Sequence, residues 1–578
     1  MIAQKHIYEK PARLLSALQA GSIDFHGRLG KALALTVENR LKKVDYQKLV
    51  RTFREHDDID ERWRGEFWGK IVRSAIRVLS AHYDADLAEK IAKTVKDLIA
   101  CIEEDGTLSS YPPEKRFGMW DTWGRKYAIL GLCRYYRDVQ QDPAILEAIH
   151  AVTLNFIRKY PAGQRPGDGL MYDGMPANSI LGALVLVARL TGDKKILDYA
   201  IALANTGCAQ SMNIFRMSIE GVRPEDLAGG KAYEMTSCFE GLLEIYCETG
   251  DRSLLELCLN YFNDMIRNEV SVIGVGGLHF ESWNHGVIAQ MRPDAEPALG
   301  ETCVVTTMMR LGYHLLREVG SLHIAEQIEN MLCNGLLGAI KPDGSWWMHM
   351  NPTPLAGVSW KRPAWDQIPG YGEDCCVAQG PEGLGVAGMF AVMTNSQEAL
   401  VVNYFEPMTI RHSVKGTPVT VEIRGNYPDD GDIVLEIHTV QEKEFMISLR
   451  IPEWCDNAAL TVKGKKQQIT TGRYVNIERR WNDGDCIHLK LSMPVRKIPA
   501  PDGSNRFAVK RGPMVLVQDS RLGEVNVPCI LPNEDPIRET SPEIISVYKW
   551  SNGQCLCDYA SSGNRFNEQN KICVWLPK

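Results

Sequence analysis

Through the first two thirds of the chain, apolar residues recur at steps of three and four. Leu87, Ile91, Val95, Leu98 and Ile102 follow this spacing, and so do Ile145, Ile149, Val152 and Phe156. Both runs predict one apolar face of an amphipathic helix. The second opens on Asp142-Pro143, a capping residue followed by proline at the first helical position. Helices also end and restart in a repeated way, at Thr191-Gly192-Asp193, at Thr249-Gly250-Asp251 and more loosely at Val319-Gly320-Ser321. Glycine stops one helix through a left-handed cap, and the Asp or Ser starts the next. With Asp142, Asp193, Asp251 and Ser321 as markers, the separations are 51, 58 and 70 residues. Each interval holds two helices with their loops, and six such pairs fit before residue 395. The pattern predicts six α-hairpins, arranged either as a closed ring or as an open solenoid.

The last third changes period. Phe445, Ile447, Leu449 and Ile451 alternate with Met446, Ser448 and Arg450, and Ile487, Leu489, Leu491 and Met493 alternate with His488, Lys490 and Ser492. A period of two predicts half-buried strands. Asn482-Asp483-Gly484-Asp485 reads as a tight turn between two of them. Short strands punctuated by Gly, Asp and Pro predict an antiparallel β-sandwich. The switch falls near Thr394-Asn395-Ser396, which divides the chain into a helical part, 1–395, and a β part, 396–578.

Composition narrows the class. The net charge is −7 over 578 residues, and we find no basic block of the kind a phosphate backbone requires, so nucleic acid is not an expected partner. The N-terminus, MIAQKHIYEKPARLL, lacks an apolar core and a small-residue cleavage site, and apolar stretches such as Val386 to Met393 are too short to span a bilayer. A cytoplasmic protein that avoids membranes is expected. Sixteen cysteines in such a chain read as reduced thiols.

Two features carry chemistry. The first is the adjacent pair in Glu373-Asp374-Cys375-Cys376, with Gly300-Glu301-Thr302-Cys303 ahead of an apolar helix. Adjacent cysteines bridge each other only with strain but can present two thiolates to one metal. Glu301 and Cys303 converge only where the backbone is not yet helical. One carboxylate and three thiolates would make a four-coordinate zinc site. Spacing alone does not establish this, and the alternative is three core cysteines and a helix-capping glutamate. The second feature is aromatic and charged residues at expected helix ends: Trp63 to Trp68, Trp120 to Lys126, Glu281-Ser282-Trp283 and Trp346-Trp347. Nine of the 13 tryptophans precede residue 395. Around a funnel at one end of a helical ring, such faces suit sugar rings, although many tryptophans fill gaps between helices. Trp123, Arg125 and Trp283 are candidate substrate-binding residues on this reading.

Together these residues resemble glycoside hydrolase family 127, the β-L-arabinofuranosidase family. The resemblance rests on ordered elements: Glu301-x-Cys303 and its helix, Glu329-Asn330-Met331-Leu332-Cys333-Asn334-Gly335, Asn351-Pro352, Cys375-Cys376, Leu449-Arg450-Ile451-Pro452-Glu453-Trp454, Trp481 to Asp485, and Lys510-Arg511-Gly512-Pro513. It implies an (α/α)6 barrel, the closed form of the ring, followed by a β-sandwich. It implies Zn2+ held by Glu301, Cys303, Cys375 and Cys376, with Cys375 as the nucleophile of a retaining hydrolysis. The family's acid/base glutamate falls, without gaps, on His285, and Glu281 four residues earlier is the alternative we prefer. Lys126 and Glu240 stand where two sugar-binding histidines are expected.

The leading reading is hydrolysis of a terminal β-L-arabinofuranoside or a related plant cell-wall sugar, with an oligosaccharide or glycoside as partner and a homodimer as a possible assembly. A second reading keeps the chemistry but places an acidic pectic sugar against Arg125 and Lys126. A third is a non-catalytic carbohydrate-binding protein with structural zinc. A lyase or epimerase on the same ring would have no need of Cys375.

Overall fold

The computed structural model describes residues 10–578 except 60–61, 168–170, 279–280, 292–298, 353–370, 542–543 and 565–570. The first nine residues of the N-terminal reading, and His279-Phe280 ahead of Glu281, lie outside the described residues.

Six inner helices form a closed ring: Gly65–Ala81, Met119–Asp138, Leu181–Thr191, Ala232–Thr249, Thr302–Val319 and Cys375–Ala391, the last packing against the first. Closure is tight. Ser74 donates to the carbonyl of Ala378 at 2.8 Å, and a Cβ on Gly385 would lie 2.6 Å from the Arg77 backbone. Outside the ring lie Arg28–Asn39, Ala85–Ile99, Pro143–Lys159, Lys194–Asn205, Arg252–Glu269 and Leu322–Asn330. These outer helices bury one face, as at Leu87, Ile91, Val95 and Leu98, whereas the inner ones are buried nearly all round. The joints are those expected. Gly192, Gly250 and Gly320 adopt φ of 72°, 70° and 61°, and Asp142, Asp193, Asp251 and Ser321 accept from backbone N–H groups of the helices they open. One helical run, Met171–Thr191, is apolar and long enough to cross a bilayer, which the sequence reading passed over. In the structure 78% of that window is buried, and left-handed Tyr172 and Asp173 interrupt it before the inner helix Leu181–Thr191 begins.

The described strands form three large sheets and a two-stranded one, Leu299–Glu301 with Met350–Pro352. One sheet orders Ser16–Ala17, Val392–Thr394, Leu400–Val402, Lys443–Ile451 and Arg473–Trp481. The other runs from Lys465–Gln467 through Ala458–Val462, Asp485–Leu491, Asp432–Thr439, Thr417–Gly425 and Met408–Val414 to Ile23–Phe25. Two short strands ahead of the first helix thus join the β part. Asn395 sits in the turn between Val392–Thr394 and Leu400–Val402. The turn at Asn482 to Asp485 passes the chain from one sheet to the other, because Arg473–Trp481 pairs in the first and Asp485–Leu491 in the second. The third sheet, built on Val495–Pro499, Arg506–Arg511 and Met514–Asp519, lies against the helices.

Several motifs that stood out in sequence meet at this junction. Arg450, fully buried on the face of its strand that alternation would leave wet, bonds Glu329 at 2.5 Å, and Tyr427 and Trp454 donate to the same carboxylate. Asn334 donates to the carbonyl of Pro513 and accepts from the N–H of Val515, and Lys510 donates to Asn330. Removing one partner of such a buried network costs several kcal/mol, about 3–5 for a charged pair. These motifs fasten the β layers to the ring and lie outside its chemistry.

Candidate active site

The inner helices that carry the thiols present their N-termini at one end of the ring. Asp374 caps Cys375–Ala391 by accepting from the N–H of Cys376 at 2.8 Å, which puts both cysteines in the first turn, where the helix dipole favours thiolate. Glu301 ends the strand Leu299–Glu301 in an extended conformation just before the helix that begins at Thr302, and its side chain makes no capping hydrogen bond to that helix. That non-helical backbone lets Glu301 and Cys303 converge, as their spacing requires.

Glu301, Cys303, Cys375 and Cys376 are all buried, with one ligand atom from each within 4.8 Å of the others. The Cys375 thiol lies 3.0 Å and the Cys376 thiol 3.3 Å from Glu301 Oε1, and the two sulfurs are 3.7 Å apart as free thiols. Tetrahedral ligands on bonds of about 2.3 Å sit ~3.8 Å apart. Glu301 Oε2 is buried with no hydrogen-bond partner. Burial, reinforced by the neighbouring thiol of Cys303, pushes Cys375 up to about 11, and burial followed by the Cys375 charge pushes Glu301 well above the carboxylate range. Four acidic groups packed this closely ionise together only around a cation. Thiolate-rich donors, spacing and an orphan oxygen all fit zinc.

Glu281 joins this cluster from outside. It shares a second group with Glu301, His349 and Cys375, and its side chain remains 20% exposed. Its backbone is left-handed, φ 65°, a conformation that costs a non-glycine residue roughly 1–2 kcal/mol. Two contacts hold it there: Ala232 N–H donates to its carbonyl at 2.8 Å, and Lys231 forms an ion pair with its carboxylate. His285 is also left-handed, and the neighbouring N–H groups of Asn284 and Gly286 converge on the Glu269 carboxylate. Among the described residues His285 is not part of either ligand group.

His349 was not singled out in the sequence, although it lies two residues before the noted Asn351-Pro352. Its Nδ1 is 3.2 Å from Asp374, and its Nε2 lies 3.7 Å from Glu301 and 3.9 Å from Glu281. Burial lowers its pKa, but Asp374 and Cys375 outweigh burial and raise it to about 9.

The aromatic candidates divide. Trp63 and Trp120 meet at a tilt of 48° with ring centres 5.3 Å apart, Trp120 meets Tyr172 edge-on at 6.4 Å, and Lys231 lies 4.3 Å over the Tyr172 ring. Both tryptophans are partly exposed and Tyr172 is 43% exposed, so an aromatic track leads to the Lys231–Glu281 pair. Trp68, Trp283 and Trp347 belong to the core. Trp283 donates to Tyr261 at 3.2 Å, and its ring fills the space where Gly276 lacks a Cβ. Trp123 is buried, donates to Glu66 and packs edge-on against Tyr127 and Tyr233. Arg125 is turned toward the outer helix, bonded to Asp121 and Asn155 over the Phe117 ring. Lys126 donates to Ser179 at 2.8 Å, and Glu240 holds Arg310 through both oxygens, at 2.6 and 2.5 Å. Both lie deeper in the ring than the thiols. What brings chemistry together here is Glu301, Cys303, Cys375, Cys376, Glu281 and His349.

The family model of the β-L-arabinofuranosidase GH127 catalytic domain matches residues 28–385, more than half of the chain, and that of the GH127 middle domain matches residues 399–493. The chain belongs to glycoside hydrolase family 127. It is a glycoside hydrolase. A GH127 β-L-arabinofuranosidase from Geobacillus stearothermophilus T6 superposes with a TM-score of 0.76 at 19% identity, over 96% of this chain and 99% of that one. A GH127 β-arabinofuranosidase matches with a TM-score of 0.77 at 19% identity, over 97% and 98%. At that identity the solved structures speak for the fold alone. No curated protein matches the chain in sequence.

Proposed function

We propose that this family-127 hydrolase removes a terminal β-L-arabinofuranose, or a closely related plant cell-wall sugar, with retention of anomeric configuration. The observation that carries the reading is the convergence of Cys375 with Glu301, Cys303 and Cys376 beside the separate, partly exposed carboxylate of Glu281. Glu301, Cys303, Cys375 and Cys376 would hold zinc, which when bound keeps the Cys375 sulfur as thiolate at neutral pH.

Cys375 attacks the anomeric carbon while Glu281 gives its proton to the departing oxygen. A thioglycosyl bond forms as the glycosidic bond breaks. Glu281, now a carboxylate, takes a proton from water, and that water displaces the Cys375 thiolate from the sugar. Two inversions leave the original configuration. His349, braced by Asp374, stands between Glu281 and Glu301, where it orients the Glu281 carboxylate. Trp63, Trp120 and Tyr172 line the approach, and their faces suit the apolar side of a sugar ring. The acidic-sugar reading loses support because Arg125 is committed to Asp121 and Asn155.

The test is turnover of an aryl β-L-arabinofuranoside, with the configuration of the first-formed product followed by NMR and zinc measured by elemental analysis. We expect about one zinc per chain and a retained anomer. A zinc-loaded protein that turns over no glycoside would favour the carbohydrate-binding reading instead. An active protein without zinc would remove the cysteine mechanism.

A further inference from the structure

Below the thiol cluster the ring interior is closed by a hydrogen-bonded floor drawn from four inner helices. Tyr127 and Tyr233 share a hydrogen bond of 2.5 Å, Tyr233 donates to Gln379 at 2.5 Å, and Gln379 donates to Thr307 at 3.3 Å. Beyond that floor lies a cavity of about 70 Å³. Arg310 and His314, which line it, stand seven and eleven residues after Cys303 on one helix, ~10 and ~16 Å further along the axis.

The cavity is over-supplied with positive charge. Arg73, Arg77 and Arg310 share two carboxylates, Glu240 and Glu382. Lys126, bonded to the Ser179 hydroxyl, adds a fourth amino or guanidino group, and burial lowers its pKa to about 7, so an anion beside it would hold its charge. Glu244 also lines the cavity, and Arg134 and Arg137 on its lining pair with Asp138, so six cations stand against Glu240, Glu244, Glu382 and Asp138, a surplus of at most two. Arg77, 3% exposed, sets its Nε 2.9 Å from Glu382 Oε1 in an ion pair, while its Nη1 is buried with no hydrogen-bond partner. The Ser237 hydroxyl, which also lines the cavity, is buried and unpartnered. Buried guanidinium donors left unmade are costly, and an unneutralised surplus is costlier still.

We propose that this cavity is a second binding site, for a small oxyanion of the phosphate or sulfate kind. Guanidinium forks and a hydroxyl are the donors such an anion takes, and its charge matches the surplus. The volume holds one such ion or several waters. The lining extends to Arg137, which is exposed on helix Met119–Asp138, so the ion enters from the end opposite the thiols. It stabilises the ring and takes no part in turnover.

The test uses the full-length protein dialysed free of phosphate and sulfate. Inorganic phosphate is titrated against potassium chloride at matched ionic strength, and thermal unfolding and calorimetric heat are read. We expect a saturable rise in melting temperature of several degrees with phosphate, a similar rise with sulfate and a smaller one with acetate. Ser237→Asp supplies the anion internally, so it should melt higher than the parent and lose the phosphate response. Should that variant fail to fold, Lys126→Met decides, with phosphate affinity expected to fall about tenfold or more. A phosphate effect no larger than that of chloride would overturn the proposal. So would a response that survives unchanged in the Ser237→Asp or Lys126→Met protein.

Discussion

Two buried charged clusters occupy the same helical ring, a few turns apart, and they are built on opposite terms. At the N-terminal end, Glu301, Cys303, Cys375 and Cys376 crowd together with acidic groups in excess and one oxygen of Glu301 unbonded. Deeper down, Arg73, Arg77 and Arg310 converge on Glu382. Burial raises the pKa of that carboxyl, but the three guanidinium groups outweigh burial and hold it far below its ordinary range. The first cluster could hold a metal ion and reaches solvent through Glu281. The second is an internal lattice that braces the helices. Burial and charge alone do not mark an active site. What distinguishes it is a nucleophilic thiol and a separate, partly exposed carboxylate side by side.

The sharpest way to break this contrast is at Cys375. Cys375→Ser keeps the shape and removes the nucleophilic sulfur, so turnover of an activated aryl glycoside should fall by at least ~10⁴-fold. Circular dichroism should show the fold intact. Activity near that of the parent would deny Cys375 its role and leave the thiol cluster as a structural knot.

The second test addresses the lattice. Glu382→Gln removes a charge shared by three arginines, and a buried cation deprived of its partner costs about 3–5 kcal/mol. We expect either failure to fold or a fall in unfolding free energy of that size, measured with urea. A loss below ~1 kcal/mol would mean that the arginines already have another counterion.

The third separates Glu281 from His285. Glu281→Gln should lose about 10²–10³-fold on a natural disaccharide, whose leaving group needs a proton, and far less in glycosyl transfer from an activated aryl glycoside. Azide, which needs no base, should restore part of the rate. His285→Ala should show a smaller loss, independent of leaving group. Rescue confined to the His285 variant would reverse the assignment.

Much of this contrast was legible in the residues, and its limits have physical causes. Period, caps and glycine stops gave the hairpins, because helix ends are local events written in a few neighbouring positions. Ring closure is not local: it depends on contact between helices about 300 residues apart, such as Ser74 with Ala378. The Glu301, Cys303, Cys375 and Cys376 cluster could be named because adjacent cysteines are chemically unusual and, with Glu301-x-Cys303, carry the family resemblance. His349 was missed because a lone histidine beside Asn-Pro carries no periodic or motif signal, and its role comes from Asp374, 25 residues away. Arg125 looked like a ligand in sequence because charge beside tryptophan is ambiguous. Only the helix's rotation, which turns Arg125 toward Asn155 and Lys126 inward, separates the two. The conspicuous Glu329 and Arg450 motifs hold the β layers to the ring, and sequence does not distinguish that duty from catalysis.

The smallest expected effect comes from His314, at the edge of the arginine lattice. Burial first, opposed by Glu244 and aided by the Arg77 charge, lowers its pKa from 6.5 to about 4. Its Nδ1 lies 3.3 Å from Glu244, and Glu240 also faces it. The sign follows from proton binding. Between pH 6.5 and 4 the unfolded chain binds a proton at His314 that the folded chain refuses, so stability falls as pH drops through that window and is level above it. The full difference amounts to about 3 kcal/mol, and a smaller figure is expected because the side chain is 18% exposed. The total pH profile will not show this cleanly. Burial raises Glu269, Glu326 and Glu406 to about 7, and such carboxyls stabilise the fold below pH 4.5 and lose that contribution as pH rises through 7. The difference between the parent and His314→Asn, each unfolded in urea from pH 4 to 7.5 in phosphate-free buffer, isolates the histidine. Asparagine keeps a donor toward Glu244 but cannot titrate. The difference should be constant above pH 6.5 and should shift in favour of the variant as pH falls. A flat difference across the whole range would show that His314 protonates as readily inside the ring as outside it, and the lattice would then be more open to water than its burial suggests.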